Sequence, residues 1–147
     1  MRRWLIGFTA PLFVLLLSPA LAQNASDKPK HDSLYAEIAR APANARAKHN
    51  PLENDPDAAA AGRNLFEQHC ARCHGDTAEG GKKGPNLREP EVQRAEPGAI
   101  FWILTNGVVR RGMPVWSKLP EPQRWQLVSF LKSLGVSSPN SLEKSSP

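Results

Sequence analysis

The sequence CARCH, at residues 70–74, lies near the middle of this chain of 147 residues. Two thiols three positions apart, followed directly by an imidazole, are the attachment signature of a c-type haem. The spacing suits this chemistry because one helical turn holds the two sulfurs at about the separation of the porphyrin vinyl groups. The motif therefore predicts one haem c bound covalently through Cys70 and Cys73, with His74 placed beneath the ring to bind its iron.

Two other chemistries use similar residues and remain open as alternatives. A Cys-x-x-Cys pair also carries out thiol–disulfide exchange, but such a pair usually lies at a helix start beside a strand. The sequence gives no sign of a strand near Cys70, and His74 would have no evident role in that reaction. A zinc site would need further ligands from the remaining histidines, which are His31, His49 and His69.

The second axial ligand of the iron has to come from another part of the chain. Apart from Met1 the chain has one methionine, Met113, which lies between Gly112 and Pro114. The glycine would let the backbone approach a flat ligand, and the proline would keep the following chain extended. Although a methionine is more often a core residue, this context predicts Met113 as the iron ligand. The three other histidines are the alternatives.

A segment shortly after the motif predicts a contact that would orient its histidine. A histidine that binds a metal usually donates its other ring N–H to an oxygen. Gly84-Pro85-Asn86-Leu87 follows His74 after a short loop, and the Pro85 carbonyl is the acceptor that we expect. The same composition also describes a plain turn, so both interpretations stay open on composition alone.

The first 22 residues have the composition of a signal peptide. Two arginines precede an uncharged run at residues 4–17, and a small-residue cleavage pattern ends at Ala22. An uncleaved membrane anchor is the alternative, although the run is short and Pro11 interrupts it. Cleavage before Gln23 predicts an exported, periplasmic protein whose net charge falls from +5 to +3. Without a basic repeat this charge does not indicate nucleic-acid binding, and we expect membrane contact only through a partner or an uncleaved signal.

The remaining chain divides by composition into three parts. Residues 23–55 form a polar arm with a short helix expected at residues 33–40, and this arm is either flexible or packed on the domain or a partner. Residues 56–135 form the expected domain, and residues 136–147 form a loose, Ser- and Pro-rich tail. Two cysteines are too few for a disulfide-rich scaffold or for a site with four thiolates.

The pattern of the domain predicts an all-α fold. One helix should begin at Asp55-Pro56 and run to Cys70, and a second should span residues 97–105 and stop at Asn106-Gly107. A third should begin near Pro120 or Pro122 and end at Gly135. No segment has the alternation or the β-branched density that is typical of a strand.

Three motifs in this order resemble the class I cytochromes c: residues 70–75, residues 84–87 and residues 112–114. The resemblance covers about residues 56–135. It implies a small cytochrome c-like fold, in which three to five helices wrap around one covalently bound haem.

The same resemblance implies a role for each site residue. Cys70 and Cys73 would form the thioether bonds to haem c. His74 and Met113 would bind the iron, and Pro85 would accept the hydrogen bond from His74. Gly62 and Phe66 resemble the family's contact in the N-terminal helix, and their partners in the C-terminal helix would be Leu127, Phe130 and Leu131.

More narrowly, residues 101–107 and 124–128 resemble bacterial monohaem cytochromes that accompany quinoprotein dehydrogenases or oxidases. This resemblance implies a periplasmic electron carrier with no catalytic residues, since the iron would have no free position. The alternative is a haem c subunit of a larger oxidoreductase complex. An enzyme with an open haem iron, or a thiol oxidoreductase that uses Cys70 and Cys73, is less expected. The partners would be a dehydrogenase donor or an oxidase acceptor that docks at the haem edge.

Basic residues border the segments of the expected site, and they form either a rim that attracts an acidic partner or a solvated surface with one arginine paired to a haem propionate. They are Arg72, Lys82, Lys83, Arg110, Arg111 and Lys118. Trp102 and Trp116 are further candidates for the haem pocket, or else belong to the core.

Overall fold

Helices form the whole fold of the described part of the chain. The computed structural model describes residues 35–136, so the expected signal peptide and residues 137–147 of the expected tail lie outside the described residues. The helices are α1 (35–39), α2 (Ala43–Arg46), α3 (Ala58–His69), α4 (Ala71–His74), α5 (Pro90–Arg94), α6 (Pro97–Asn106) and α7 (Glu121–Val136), with a 3-10 turn at Val109–Arg111. The all-α class is confirmed, although short helices raise the number above the three to five that we expected. Within residues 35–136, no helix combines the length and the apolar character that a bilayer span requires.

The crossing of α3 and α7 forms the centre of the core. A Cβ atom added at Gly62 would lie 1.9 Å from the carbonyl oxygen of Gln126, so the two backbones touch where no side chain fits. The rings of Phe66 and Phe130 pack beside this point with their centroids 5.2 Å apart. The predicted contact between the first and last long helices is therefore confirmed.

Two predicted helix ends are wrong, one because of a local turn and the other because of a contact with another helix. The α3 helix begins at Ala58 rather than at Asp55-Pro56, because the side chain of Asp55 accepts the N–H of Asp57 at 2.9 Å in a preceding turn. The α7 helix continues through Gly135 instead of ending there. A Cβ atom at Gly135 would lie 2.5 Å from Oε1 of Gln93, so this glycine makes room for a side chain.

The α6 helix agrees with its prediction to within one residue. It starts at Pro97 and ends before Gly107, whose φ of +65° is a conformation that other residues rarely adopt. Its residues Ile100, Phe101 and Leu104 are buried. The short α5 helix between the motif and α6 was not predicted.

The described part of the arm, residues 35–55, packs on the helices. Asn50 is buried, and its Nδ2 donates to Oγ of Ser129 at 2.8 Å and to the carbonyl oxygen of Trp125 at 3.4 Å. A Cβ atom at Gly98 would lie 2.1 Å from the carbonyl oxygen of Ala45, so the arm backbone rests directly on the start of α6. For these residues the interpretation of a packed arm holds and that of a flexible arm is wrong. The limits of the domain stay a prediction.

Candidate functional site

One cavity of about 1000 Å³ brings together the residues that the sequence singled out. It lies among α3, α6, α7 and two loops, and its lining includes Cys70, Cys73, His74, Pro85 and Met113. Its volume is at the upper end of the range of about 300–1,000 Å³ that is typical of small-molecule and cofactor sites.

The inner wall of this cavity is apolar. Buried side chains from three helices form it, and they are Phe66, Ile100, Leu104, Leu127 and Leu131. The helical spacing of these residues in the sequence places them on the inward faces of α3, α6 and α7. A large, flat, mostly apolar group is the kind of ligand that such a wall can bury.

A single helical turn carries the two thiols and the imidazole. The carbonyl oxygen of Cys70 accepts the N–H groups of Cys73 and His74, each at 3.0 Å, and so opens α4 directly after α3 ends. Both cysteines are free thiols on the cavity side of this turn. The turn therefore presents all three donor groups to the same space.

The imidazole of His74 is fixed by the segment that follows the turn. Its Nδ1 lies 3.0 Å from the carbonyl oxygen of Pro85. Because a carbonyl only accepts, Nδ1 carries the proton in this contact, and Nε2 of the neutral ring keeps its lone pair. Burial lowers the pKa of His74, and the hydrogen bond to Pro85 partly opposes this. The environment therefore favours a neutral ring that can donate Nε2 to a metal.

Gly84 supplies the space in which this ring lies. A Cβ atom there would be 2.8 Å from Nδ1 of His74 and 2.9 Å from the carbonyl oxygen of Cys73. The sequence indicated Gly84 as the first residue of a possible turn, and the structure shows that it must also lack a side chain. Residues 84 and 85 thus hold the imidazole by close packing and by a hydrogen bond.

The thiol environment differs from that of a thiol–disulfide enzyme. Burial, and to a smaller extent the neighbouring Cys73, raises the pKa of the Cys70 thiol to about 11. A nucleophilic thiol in such enzymes needs a lowered pKa, because the thiolate is the reactive form. This environment gives no support to the thiol oxidoreductase alternative.

Met113 is presented by a short closed loop, here called the Met113 loop (residues 107–113). The N–H of Val108 donates to the carbonyl oxygen of Met113 at 3.0 Å, and the N–H of Met113 donates back at 3.2 Å. Gly112 has a φ of +86° and no heavy atom within 4 Å of an added Cβ. The loop therefore needs this glycine for its left-handed backbone rather than for the close approach that we expected.

The end of α6 holds the Met113 loop in place. A Cβ atom at Gly107 would lie 2.6 Å from the carbonyl oxygen of Pro114, so the backbone at the start of the loop directly contacts the backbone just past its end. Past the loop, the N–H of Trp116 donates to the carbonyl oxygen of Leu104 at 3.0 Å. Trp116 lines the cavity as expected for one of the two tryptophans, whereas Trp102 is not part of the lining.

The other histidines occupy different places. His69 lines the main cavity, with its ring centroid 5.3 Å from that of Trp116. His49 is exposed and lines a second cavity of about 510 Å³ beside α2, and His31 lies outside the described residues. In the part of the chain from 35 to 136, no three His, Cys, Asp or Glu side chains form a group that could hold a metal ion.

The expected basic residues separate into three groups. Lys82, Lys83 and Arg111 line the main cavity. Arg110 instead forms an ion pair with Glu37 of α1. Arg72 and Lys118 are exposed and outside the lining.

Sequence reasoning missed the contribution of α1 to the cavity. Tyr35, Glu37 and Ile38 all line it. The available signal was weak: Tyr35 is the only tyrosine of the chain, and it lies three positions before Ile38 in an otherwise polar arm.

Known proteins resemble both the sequence and the fold. A family model described as cytochrome c oxidase, cbb3-type, subunit III matches residues 57–131, about half of the chain. The cbb3-type cytochrome c oxidase subunit CcoP of Rubrivivax gelatinosus is 46% identical over 91 residues, which are 61% of this chain and 28% of that protein. The CcoP subunit of Azospirillum sp. (strain B510) is 32% identical over 91 residues, 55% of this chain and 30% of that protein. The chain thus matches less than a third of the length of either relative.

A solved structure shows the same fold across most of the chain. Cytochrome cL of Methylophaga aminisulfidivorans MPT is similar with a TM-score of 0.52 at 18% identity. The similarity covers 89% of this chain and 87% of that one.

Proposed function

Since this chain belongs to the cytochrome c family of subunit III of cbb3-type oxidases, we propose that its cavity holds one haem c and that it transfers single electrons. The observation that carries the proposal is that Met113 and the turn of Cys70, Cys73 and His74 line the same apolar cavity. When bound, haem c supplies an iron that gains or loses one electron.

The residues of the cavity fit such a group in size and in chemistry. Cys70 and Cys73 would hold it covalently, and Nε2 of His74 and the thioether of Met113 would be the axial ligands. Pro85 keeps the imidazole in the tautomer that leaves Nε2 free, at a hydrogen-bond distance of 3.0 Å. If His74 and Met113 both bind the iron, no position would remain for a substrate, so the role that we propose is that of an electron carrier.

The relatives favour a subunit of a complex over a free carrier. From the sequence we expected a free periplasmic carrier first and a subunit of a larger oxidoreductase second. Both curated relatives are oxidase subunits by name, and this chain matches only 28% and 30% of their lengths. This favours a haem c electron-transfer subunit or a dedicated partner of a membrane oxidoreductase. Export by the N-terminal signal would place it in the periplasm.

A visible spectrum of the matured protein tests the cofactor. We expect sharp reduced bands of low-spin haem c that stay with the polypeptide after denaturation, because thioether bonds are covalent. A variant with Cys70→Ser and Cys73→Ser should lose this retained colour. A colourless wild-type protein, or colour that separates from the unfolded chain, would refute the proposal.

Purification from the native host tests the assembly. A tagged full-length chain should bring down membrane oxidoreductase subunits after mild detergent extraction. Recovery of the tagged chain alone from a periplasmic extract would instead support a free carrier.

A further inference from the structure

The α1 helix contacts the Met113 loop and also the segment at residues 84–87, which orients the imidazole of His74. On one side, the hydroxyl of Tyr35 donates to the carbonyl oxygen of Asn86 at 2.8 Å, next to the Pro85 carbonyl that faces His74. On the other side, the carboxylate of Glu37 forms an ion pair with Arg110 in the Met113 loop. Tyr35 and Glu37, which lie two positions apart on this helix, therefore link two segments that line the cavity.

The burial of these side chains makes the link more than a surface contact. Tyr35 is 7% exposed and the side chain of Glu37 is 12% exposed, whereas the Arg110 side chain is 55% exposed. A carboxylate that is mostly withdrawn from water loses more from the removal of its partner than an exposed one does. Arg40 lies 3.4 Å from the same carboxylate within α1, so Glu37 joins the helix to the loop.

Of the segments joined by this link, the Met113 loop is packed more weakly than the arm. Residues 109–112 of the Met113 loop are exposed, and Val109 is 68% exposed. The arm is anchored independently, because Asn50 bonds to Ser129 and Gly98 admits the arm backbone. An arm that is anchored in this way can restrain an exposed loop.

We propose that α1 connects the segment at residues 84–87 with the Met113 loop and that the ion pair between Glu37 and Arg110 keeps the Met113 loop closed over the cavity. The proposal rests on the proposed function in that Met113 is an axial ligand of the iron. The pair then determines how readily Met113 is displaced, and so whether the carrier keeps its sixth position closed to small molecules.

Imidazole, a small ligand that competes with methionine for iron, is the probe. The oxidised full-length holoprotein is titrated with imidazole, and the loss of the weak far-red band of methionine ligation is followed. Glu37→Gln and Arg110→Gln should each raise the imidazole affinity about 3- to 10-fold. The imidazole affinity of the double variant should be close to that of either single variant, because both substitutions remove the same interaction. Arg110→Gln lies on an exposed loop and carries the test even where Glu37→Gln does not mature.

The matched control is Glu67→Gln, which breaks the exposed pair of Arg63 and Glu67 at 3.0 Å within α3. Arg40→Gln separates the contribution of the pair within α1. Hydrogen exchange of the amides at 107–113 gives a second readout and should become faster in Arg110→Gln and stay unchanged in Glu67→Gln. If Arg110→Gln matches this control in both measurements, the proposed link is wrong. A wild-type protein without the haem spectrum would instead refute the proposed function.

Discussion

Gly62 of α3 and Gln126 of α7 approach so closely that an added Cβ at position 62 would lie 1.9 Å from the Gln126 carbonyl oxygen. This approach sets how the first and last long helices cross. It also brings Phe66 and Phe130 into ring contact and aligns Leu127 with the cavity. The crossing is therefore a requirement for the cavity as well as for the core.

Gly62→Ala should destabilise the holoprotein by about 1–3 kcal/mol, because the helices have to separate to admit the methyl group. Denaturant unfolding followed by circular dichroism measures the free energy of unfolding. Asn64→Ala, at an exposed position of the same helix, is the control and should change it little. Equal stabilities of the two variants would contradict the close crossing.

Met113→Leu should abolish the far-red band of methionine ligation and keep the fold, because leucine has a similar volume and no thioether. Met113→His should lower the reduction potential by roughly 0.1–0.3 V, within the range of about 0.8 V over which axial ligands act. His69→Ala is the control, since His69 lines the same cavity. If the band survives in Met113→Leu and disappears in His69→Ala, the ligand assignment is wrong.

The protein without haem should be largely unfolded. A variant with Cys70→Ala and Cys73→Ala would leave a cavity of about 1000 Å³ surrounded by apolar side chains, and a domain this small has little other core. Circular dichroism should show a strong loss of helix relative to the holoprotein. The helix content of Cys70→Ala alone, which keeps one attachment point, should lie between that of the holoprotein and that of the double variant. Native helix content in the double variant would contradict this prediction.

Tyr35→Phe tests the contact between α1 and Asn86. The loss of the hydrogen bond should cost about 0.5–1.5 kcal/mol at neutral pH. Burial, followed by the charges of Glu89 and Glu91, raises the pKa of Tyr35 above its ordinary value of 10.0. A raised folded-state pKa means that the hydroxyl's contribution is complete below pH 10 and is lost as the pH rises through the folded value.

The stability difference between the wild type and Tyr35→Phe should therefore be constant below about pH 10 and shrink above it. Denaturant unfolding over a pH series measures it. Tyr35 is the only tyrosine of the sequence, so no other phenol titrates in this range. The lowered pKa of Lys132 affects the stability of both proteins equally and cancels in the difference. A difference that grows with pH would have the wrong sign.

The parts of this protein that local sequence determines could be predicted. The motif at residues 70–74 forms one turn because its own backbone closes it, and α6 lies between Pro97 and Gly107, which are local start and stop signals. The same logic failed at Gly135, whose role depends on Gln93 from another helix.

Contacts between distant segments could not be predicted from patterns within a segment. The arm carries no apolar stripe long enough to indicate packing, and its position depends on Gly98 and on Asn50 as individual residues. The pairing of Glu37 with Arg110 spans 73 positions and has no sequence signal apart from opposite charge. Residues Tyr35 and Glu37 were consequently absent from the expected site.

The place of α7 in the cavity has a consequence for biogenesis. Leu127 and Leu131 complete the apolar wall, and they belong to the part of the domain that is synthesised last. The thiols of residues 70 and 73 emerge well before them. An enzyme that attached the proposed haem at that stage would act on a chain whose cavity is not yet closed. The cavity would enclose the haem only after α7 has packed against the other helices.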